Sequence, residues 1–403
     1  MTSILDSRAR ALSARAHRVP ASPIRRLAPL ADAAKARGTK VYHLNIGQPD
    51  IETPAPMLAR LKEIDARVLE YSPSTGTPEF LRSLQRYYQR RVGVSVDISQ
   101  ILATTGGSEA ILFALMACAD AGDDLLVVEP FYANYAAFAA MADINLTAVT
   151  ARGRDGFHLP PREVWQRALT PRTRAVMICN PNNPTGTVYA REELERVADF
   201  CRDNALFLIS DEVYREFVYD GRKAISALEL EGADDFVIVV DSLSKRYSAC
   251  GIRLGALVTR NAAIYDAALR MAQGRLSPPG LAQFIATGAD TLGDDYTRDV
   301  IAEYQRRRDV LYEGLTSIPG VFLQKPEGAF YCVAKLPVDD AEAFAEWLLR
   351  DFAHDGATVM VAPASGFYAS GLGRSEVRIA YVLKEADLRV AVELLRIALE
   401  KYT

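Results

Sequence analysis

The chain has 403 residues, 49% of them apolar and 24% charged, with a formal net charge of −4. That length holds a large core and points to two domains. No Lys/Arg-rich block lies beyond the arginines near the N-terminus, and no apolar run approaches the roughly 20 residues of a membrane helix, so neither nucleic acid nor membrane is expected as a partner. The first 20 residues carry Arg8, Arg10, Arg15 and Arg18 without the apolar core of a signal peptide. Five cysteines, never at C-x-x-C spacing, read as reduced thiols in a cytoplasmic protein; four scattered histidines predict no metal site.

In chain order, Ser22-Pro23 predicts a helix through Arg37, with serine as N-cap, proline at the first position and Gly38 as the stop. A short strand, Lys40–Asn45, leads into the turn-rich Ile46–Asp50. Tyr71–Pro78 is a loop whose Thr77-Pro78 opens an amphipathic helix through Arg91. The strand Ile101–Thr104 feeds Gly106-Gly107-Ser108-Glu109 and an apolar helix to Ala119. Glycines between a strand and a helix N-terminus leave backbone N–H groups free for an anion. Strands Leu125–Val128, Asn145–Val149, Arg174–Cys179 and Ala205–Ser210 then alternate with helices Tyr132–Met141, Pro161–Leu169 and Arg191–Arg202. Alternation of this kind, from about residue 70 to about 290, argues for an α/β fold: a mostly parallel sheet with helices on both faces. After Pro278-Pro279-Gly280 the pattern changes. A long helix (Tyr296–Ser317), a strand (Gly328–Val333), a helix (Ala341–Asp351), strands Thr358–Val361 and Val377–Val382, and a helix from Glu385 predict a smaller α+β domain. The expected division is 51–290 for the large domain and 291–403 for the small one, which the segment 1–50 joins.

The chemistry-bearing residues gather at strand ends, where open α/β sheets collect ligands. The apolar run Phe236–Val240 is followed by Asp241-Ser242-Leu243-Ser244-Lys245-Arg246-Tyr247, with Arg253 eight residues past the lysine. A lysine amine can form a Schiff base with an aldehyde cofactor, while hydroxyls and a guanidinium hold its phosphate. Asn180–Gly186 carries two Asn-Pro pairs and a Thr-Gly, which a tight turn would also explain. Asp211, after an apolar strand, is a helix cap or a buried carboxylate; Tyr132 is core packing or a site aromatic. Arg378, between apolar neighbours, faces solvent or needs a partner anion.

Together these stretches resemble the class I/II aminotransferases, the fold-type I pyridoxal-phosphate enzymes, from Ser22 onward. The matching words are Asn45–Asp50, Tyr71–Pro78, Gly106–Ala110, Asn180–Gly186, Asp211–Tyr214, Ser242–Lys245, Arg253 and Val377–Ala380. The resemblance implies a seven-stranded type of large sheet and pyridoxal 5'-phosphate as cofactor. Lys245 resembles the lysine that holds the cofactor and moves the substrate Cα proton. Asp211 resembles the carboxylate that keeps the pyridine nitrogen protonated. Tyr214 and Asn183 are similar to the pair that hydrogen-bonds the ring's phenolic oxygen, and Tyr132 to the aromatic on the ring face. The phosphate would lie among the N–H groups of Gly107, Ser108 and Glu109, with Ser242, Ser244 and Arg253. Tyr71 is similar to the tyrosine that reaches the neighbouring subunit's phosphate, so the resemblance implies a homodimer with composite active sites. Arg378 matches the arginine for the substrate α-carboxylate, and Gly47 the site of close backbone approach to substrate.

Some dicarboxylate-using relatives carry a lysine where Ser108 stands. Arg275, Arg25 and Arg26 are the candidates for a replacement cation, against the plain reading of each as a solvated surface arginine. The function implied is ping-pong transamination between an L-amino acid and a 2-oxo acid, with aspartate and 2-oxoglutarate first. The alternatives are another reaction of the same cofactor (β-elimination, γ-chemistry or oxidation of a basic amino acid) and a non-catalytic regulator that binds pyridoxal phosphate.

Overall fold

The computed structural model describes residues 12–402; Arg8, Arg10 and the beginning of the segment 1–50 lie outside the described residues. The strands are β1 (Lys40–His43), β2 (Ile101–Thr104), β3 (Asp124–Glu129), β4 (Asn145–Thr150), β5 (Thr173–Cys179), β6 (Phe207–Asp211), β7 (Val237–Ser242), β8 (Gly255–Val258), β9 (Phe322–Leu323), β10 (Tyr331–Lys335), β11 (Ala357–Met360), β12 (Ala362–Pro363) and β13 (Glu376–Ala380). Seven of them form one sheet in the order β2-β8-β7-β6-β5-β3-β4. Pairing is parallel except at β8, which runs antiparallel to both β2 and β7.

The near-continuous apolar runs of β5, β6 and β7 follow from burial on both faces. Successive side chains alternate sides. Val237 and Val239 enter one apolar layer with Leu208 and Val176, while Ile238 and Val240 enter the opposite one with Ile209 and Met177. Each such side chain contributes about 1.5–3 kcal/mol by leaving water. Helix Gly106–Cys118 packs on β7 and β8, so its N-terminus stands beside the carboxyl end of β7.

A four-stranded sheet (β12-β13-β10-β9) and the parallel pair β1–β11 complete the strand pairing. Helix Asp294–Thr316 packs against helix Glu385–Tyr402. No helix among the described residues is long and apolar enough to cross a membrane.

Several boundaries depart from the sequence expectation. The first helix expected from Ser22 begins at Ala28: Arg25 and Arg26 donate to the Ser22 carbonyl as a first helical turn would, but Ala28 closes a tighter turn on Arg25 and Pro29 has no N–H to continue the ladder. Pro29 then takes the place near the helix start that suited Pro23. The helix from Pro78 stays regular only to Tyr87 and widens into a π-turn over Tyr88–Val92, ended by left-handed Gly93. The strand expected from Gly328 starts at Tyr331, because left-handed Ala329 (φ 52°) interrupts extended backbone. Asp211 and Ser242 are the final residues of β6 and β7 rather than lying after them.

Candidate active site

β7 ends in Asp241 and Ser242 and passes straight into the short helix Leu243–Arg246, which carries Lys245. Ser242 caps that helix: its Oγ accepts from the Ser244 N–H at 3.2 Å and donates to Ser244 Oγ at 3.0 Å. Lys245 Nζ donates to the Gly47 carbonyl at 2.8 Å and lies 3.9 Å from Cys250 Sγ. A Cβ on Gly47 would stand 1.7 Å from Tyr331 Oη, so no other residue fits there without displacing that ring.

Past the lysine, Ser248 and Arg253 both hold left-handed backbone (φ 48° and 53°), a strain of about 1–2 kcal/mol per non-glycine residue. Gly106 approaches the Arg253 guanidinium so closely that a Cβ would meet Nη2 at 2.6 Å. Among the described residues, the Arg253 guanidinium bonds only to the Cys250 carbonyl, at 3.1 Å. Gly107 and Ser108 border the same space at the start of helix Gly106–Cys118. A helix N-terminus, two hydroxyls and a guanidinium make this end suitable for an anion.

The other end is built around Asp211. Its Oδ2 accepts the Tyr135 hydroxyl at 2.6 Å and its Oδ1 the Val213 N–H at 3.3 Å, and no described cation touches it. Burial pushes its carboxyl up to about 6; the Tyr135 and Val213 bonds oppose that, while Glu212 and Asp241 add to it. Tyr214 Oη accepts from Asn183 Nδ2 at 3.4 Å and meets Tyr331 Oη at 3.1 Å. Tyr132 forms a wall, its phenol pushed up to about 12 by burial. Arg378 points inward from β13, only 2% exposed, and donates to the Asn45 carbonyl at 2.6 Å and Asn183 Oδ1 at 3.2 Å. Its Nε has no partner, and its guanidinium lies over the rings of Tyr331 and Phe367.

These groups share one cavity of about 830 Å³, which gathers every predicted site residue except Tyr71, Glu109, Arg275 and Arg26. Tyr71 is 81% exposed on the surface. The Glu109 carboxylate turns back to accept the Thr105 N–H at 2.8 Å and to pair with Arg275 at 3.0 Å. Arg275 departs from the reading of it as a solvated surface arginine and does not line this chain's cavity. Its side chain is 16% exposed and held by Glu109 and by the Ser74 and Ala103 carbonyls, so it is neither solvated nor in the cavity. Arg26 pairs with Glu342 at the surface, while Arg25 borders the cavity with no described carboxylate against it.

Sequence reasoning missed Tyr135, the partner of Asp211, and Tyr331, which joins Tyr214 to Gly47. Tyr135 lies three residues from Tyr132 and meets it edge to face, a spacing that by itself does not tell it from core packing. Among the described residues, no cluster of three or more His, Cys, Asp or Glu is placed to hold a metal.

A family model for aminotransferase class I and II matches residues 39–395. The chain is 31% identical to a probable aspartate/prephenate aminotransferase of Aquifex aeolicus, over 97% of this chain and 99% of that protein. It is 32% identical to the aspartate/prephenate aminotransferase of Thermus thermophilus, over 89% of this chain and 91% of that protein. Among solved structures, an alanine aminotransferase from Pyrococcus furiosus superposes with a TM-score of 0.89 at 29% identity, covering 97% of this chain and 100% of that one.

Proposed function

Because the chain belongs to the class I and II aminotransferases, we propose that it holds pyridoxal 5'-phosphate at Lys245 and moves the amino group of aspartate to 2-oxoglutarate. The two ends of the cavity suit the two ends of that cofactor. Ser242, Ser244, Arg253 and the first N–H groups of helix Gly106–Cys118 hold the phosphate; Glu109, turned towards Arg275, adds only main chain. Asp211 takes the ring nitrogen, since a buried carboxylate with no cation beside it is relieved by one. When bound, the cofactor supplies a cationic ring that draws electron density from the substrate Cα.

The remaining work belongs to the chain. Lys245 Nζ carries the cofactor and then moves the proton to and from the substrate carbon. Tyr214 and Asn183, already paired, hydrogen-bond the phenolic oxygen of the ring; Tyr132 covers a ring face. Arg378 takes the α-carboxylate, and its buried, anion-free guanidinium is the observation that carries this reading. A buried charge without a counterion costs several kcal/mol, which a carboxylate removes.

Ser108 offers no charge for a second carboxylate and Arg275 is occupied, so Arg25 at the cavity mouth is the distal cation in this reading. The protein works as a cytoplasmic homodimer with Tyr71 serving the partner subunit's site. Residues 51–290 form the cofactor-binding domain, and 1–50 with 291–403 the second.

The test is a panel of amino acids added to the pyridoxal-phosphate-loaded protein, followed by the cofactor's absorbance. Aspartate and glutamate should convert it to the amine form, and borohydride reduction should label Lys245. A label on another lysine, or conversion by no amino acid, would reject the reading.

A further inference from the structure

Behind the cavity lies a second set of charges that the chemistry above does not use. Glu212, Arg215, Asp241 and Arg246 are all buried. Arg215 donates to Glu212 Oε2 from Nε at 2.8 Å and from Nη2 at 2.6 Å, and its Nη1 lies 3.8 Å from Asp241 Oδ2. Arg246 Nη2 donates to the same Asp241 oxygen at 2.9 Å. Two cations and two anions balance.

The remaining lone pairs are also satisfied. Asp241 Oδ1 accepts the Ser242 N–H at 2.7 Å, and Glu212 Oε1 accepts the Ala227 N–H at 2.8 Å and Ser210 Oγ at 3.0 Å. The π-turn brings Tyr88 Oη to Asp241 at 3.2 Å, and the Arg246 guanidinium lies over the Tyr87 ring at 3.9 Å.

Each member of this quartet is the sequence neighbour of a cavity residue. Glu212 follows Asp211, Arg215 follows Tyr214, Asp241 precedes Ser242 and Arg246 follows Lys245. One side of each backbone segment faces the cavity, and the adjacent side chain is tied into the ion cluster.

We propose that Glu212, Arg215, Asp241 and Arg246 are positioning residues for the reaction, locking the Lys245 helix to the Asp211–Tyr214 turn from behind the site. The inference rests on the functional reading above, because it matters only if Lys245 and Asp211 act on one bound group. Stability alone would not favour such a cluster: a buried ion network is commonly no more stabilising than apolar packing of the same volume. What it adds is one fixed geometry, since Arg215 grips Glu212 through Nε and Nη2 and Asp241 lies between Arg215 and Arg246, even though the buried Arg246 Nε has no partner. Glu212 and Asp241 also both raise the Asp211 carboxyl, so their counterions Arg215 and Arg246 limit that effect.

The test compares Arg246→Met, Arg246→Lys and the charge-balanced Asp241→Asn/Arg246→Met with wild type, all loaded with pyridoxal phosphate. Single-turnover absorbance with aspartate separates the limiting rate from the substrate Kd. A pH titration of the bound cofactor's absorbance needs no substrate. The ionisable groups lining the cavity with Lys245 are Asp211, Tyr132, Tyr214, Tyr331, Cys250, His43 and Asp32, with the cations Arg25, Lys35, Arg253 and Arg378, and all remain in the variants.

Arg246→Met should lower the limiting rate by about 10- to 100-fold with Kd within about threefold, because the amino-acid contacts are untouched. Its absorbance midpoint should rise by about half a unit or more, since Asp241 loses a counterion and favours the protonated form. Arg246→Lys should keep the midpoint and recover part of the rate. The double variant should keep the midpoint but not the rate, and it covers the case in which Arg246→Met does not fold. Variants that lose thermal stability yet keep wild-type rate and midpoint would overturn the proposal, as would a loss in Kd equal to that in rate. A wild type that binds the cofactor at Lys245 but converts no amino acid would instead reject the functional reading, while the midpoint comparison would still judge the quartet.

Discussion

Asp211→Asn in the cofactor-free protein isolates the electrostatics of the ring-nitrogen end. The folded carboxyl is held up to about 6 from an ordinary 3.8, with burial the largest cause. The folded state therefore binds this proton more tightly than the unfolded chain. The stability it adds is complete below pH 3.8 and is lost as pH rises through 6. The whole shift corresponds to about 3 kcal/mol at about 1.4 kcal/mol per unit, and about 1.4 kcal/mol of it falls between pH 5 and pH 8. Asparagine stays neutral throughout and can still accept the Tyr135 hydroxyl. Denaturant unfolding of the cofactor-free proteins at the two pH values should thus show Asp211→Asn gaining about 1.4 kcal/mol on wild type from the lower pH to the higher. A difference constant to within about 0.3 kcal/mol would refute the buried, cation-free description of this carboxylate. Loading wild type with cofactor should flatten the dependence, since a cation then partners Asp211.

Further expectations concern substrate and assembly. Arg378→Leu should lower kcat/KM by about 10²-fold or more for every amino donor, because all present an α-carboxylate; steady-state kinetics in which alanine and aspartate stay within about threefold would exclude that role. Arg25→Gln should cost aspartate and glutamate about 10- to 100-fold, and alanine much less, in the same assay; an equal loss for all three would remove Arg25 as the distal cation. Mixing inactive Tyr71→Ala and Lys245→Ala proteins should regenerate activity, because one site of the mixed dimer carries neither lesion. No gain after subunit exchange, verified by mass, would argue against shared sites.

The large sheet was readable in the sequence because its central strands are buried on both faces and so appear as unbroken apolar runs such as Val237–Val240. β8 was not, since four residues two positions past a left-handed arginine leave no periodicity to detect. The site was legible wherever a polar residue interrupts or follows such a run, as at Asp211, Ser242 and Lys245. It was illegible where a role depends on a partner far along the chain. Tyr135 looks like any helical aromatic until β6 delivers Asp211 to its hydroxyl. Arg275 reads as a surface arginine until the end of its helix meets Glu109. The start of the first helix was misplaced because Ser22-Pro23 carries the signal of a cap and does open one turn, which Pro29 does not continue.

The pairing of β1 with β11 has a consequence for the order in which the protein is made. Lys40 pairs with Ala357 and His43 with Met360, and the Leu44 carbonyl accepts the Ala380 N–H. The strand that leads into Gly47 therefore leaves the ribosome roughly 300 residues before its partner, Lys40 waiting for Ala357. Distance itself is a small obstacle, because a tenfold longer loop costs only about 2 kcal/mol more to close. Sequence is the stricter constraint. A nascent chain can pair all seven strands of the large sheet by the time Val258 has emerged, yet the carbonyl that receives Lys245 is still untethered. A product cut short before residue 357 would retain the lysine, the aspartate and the helix N-terminus but lack a closed site, so translation must pass β11 before the enzyme exists.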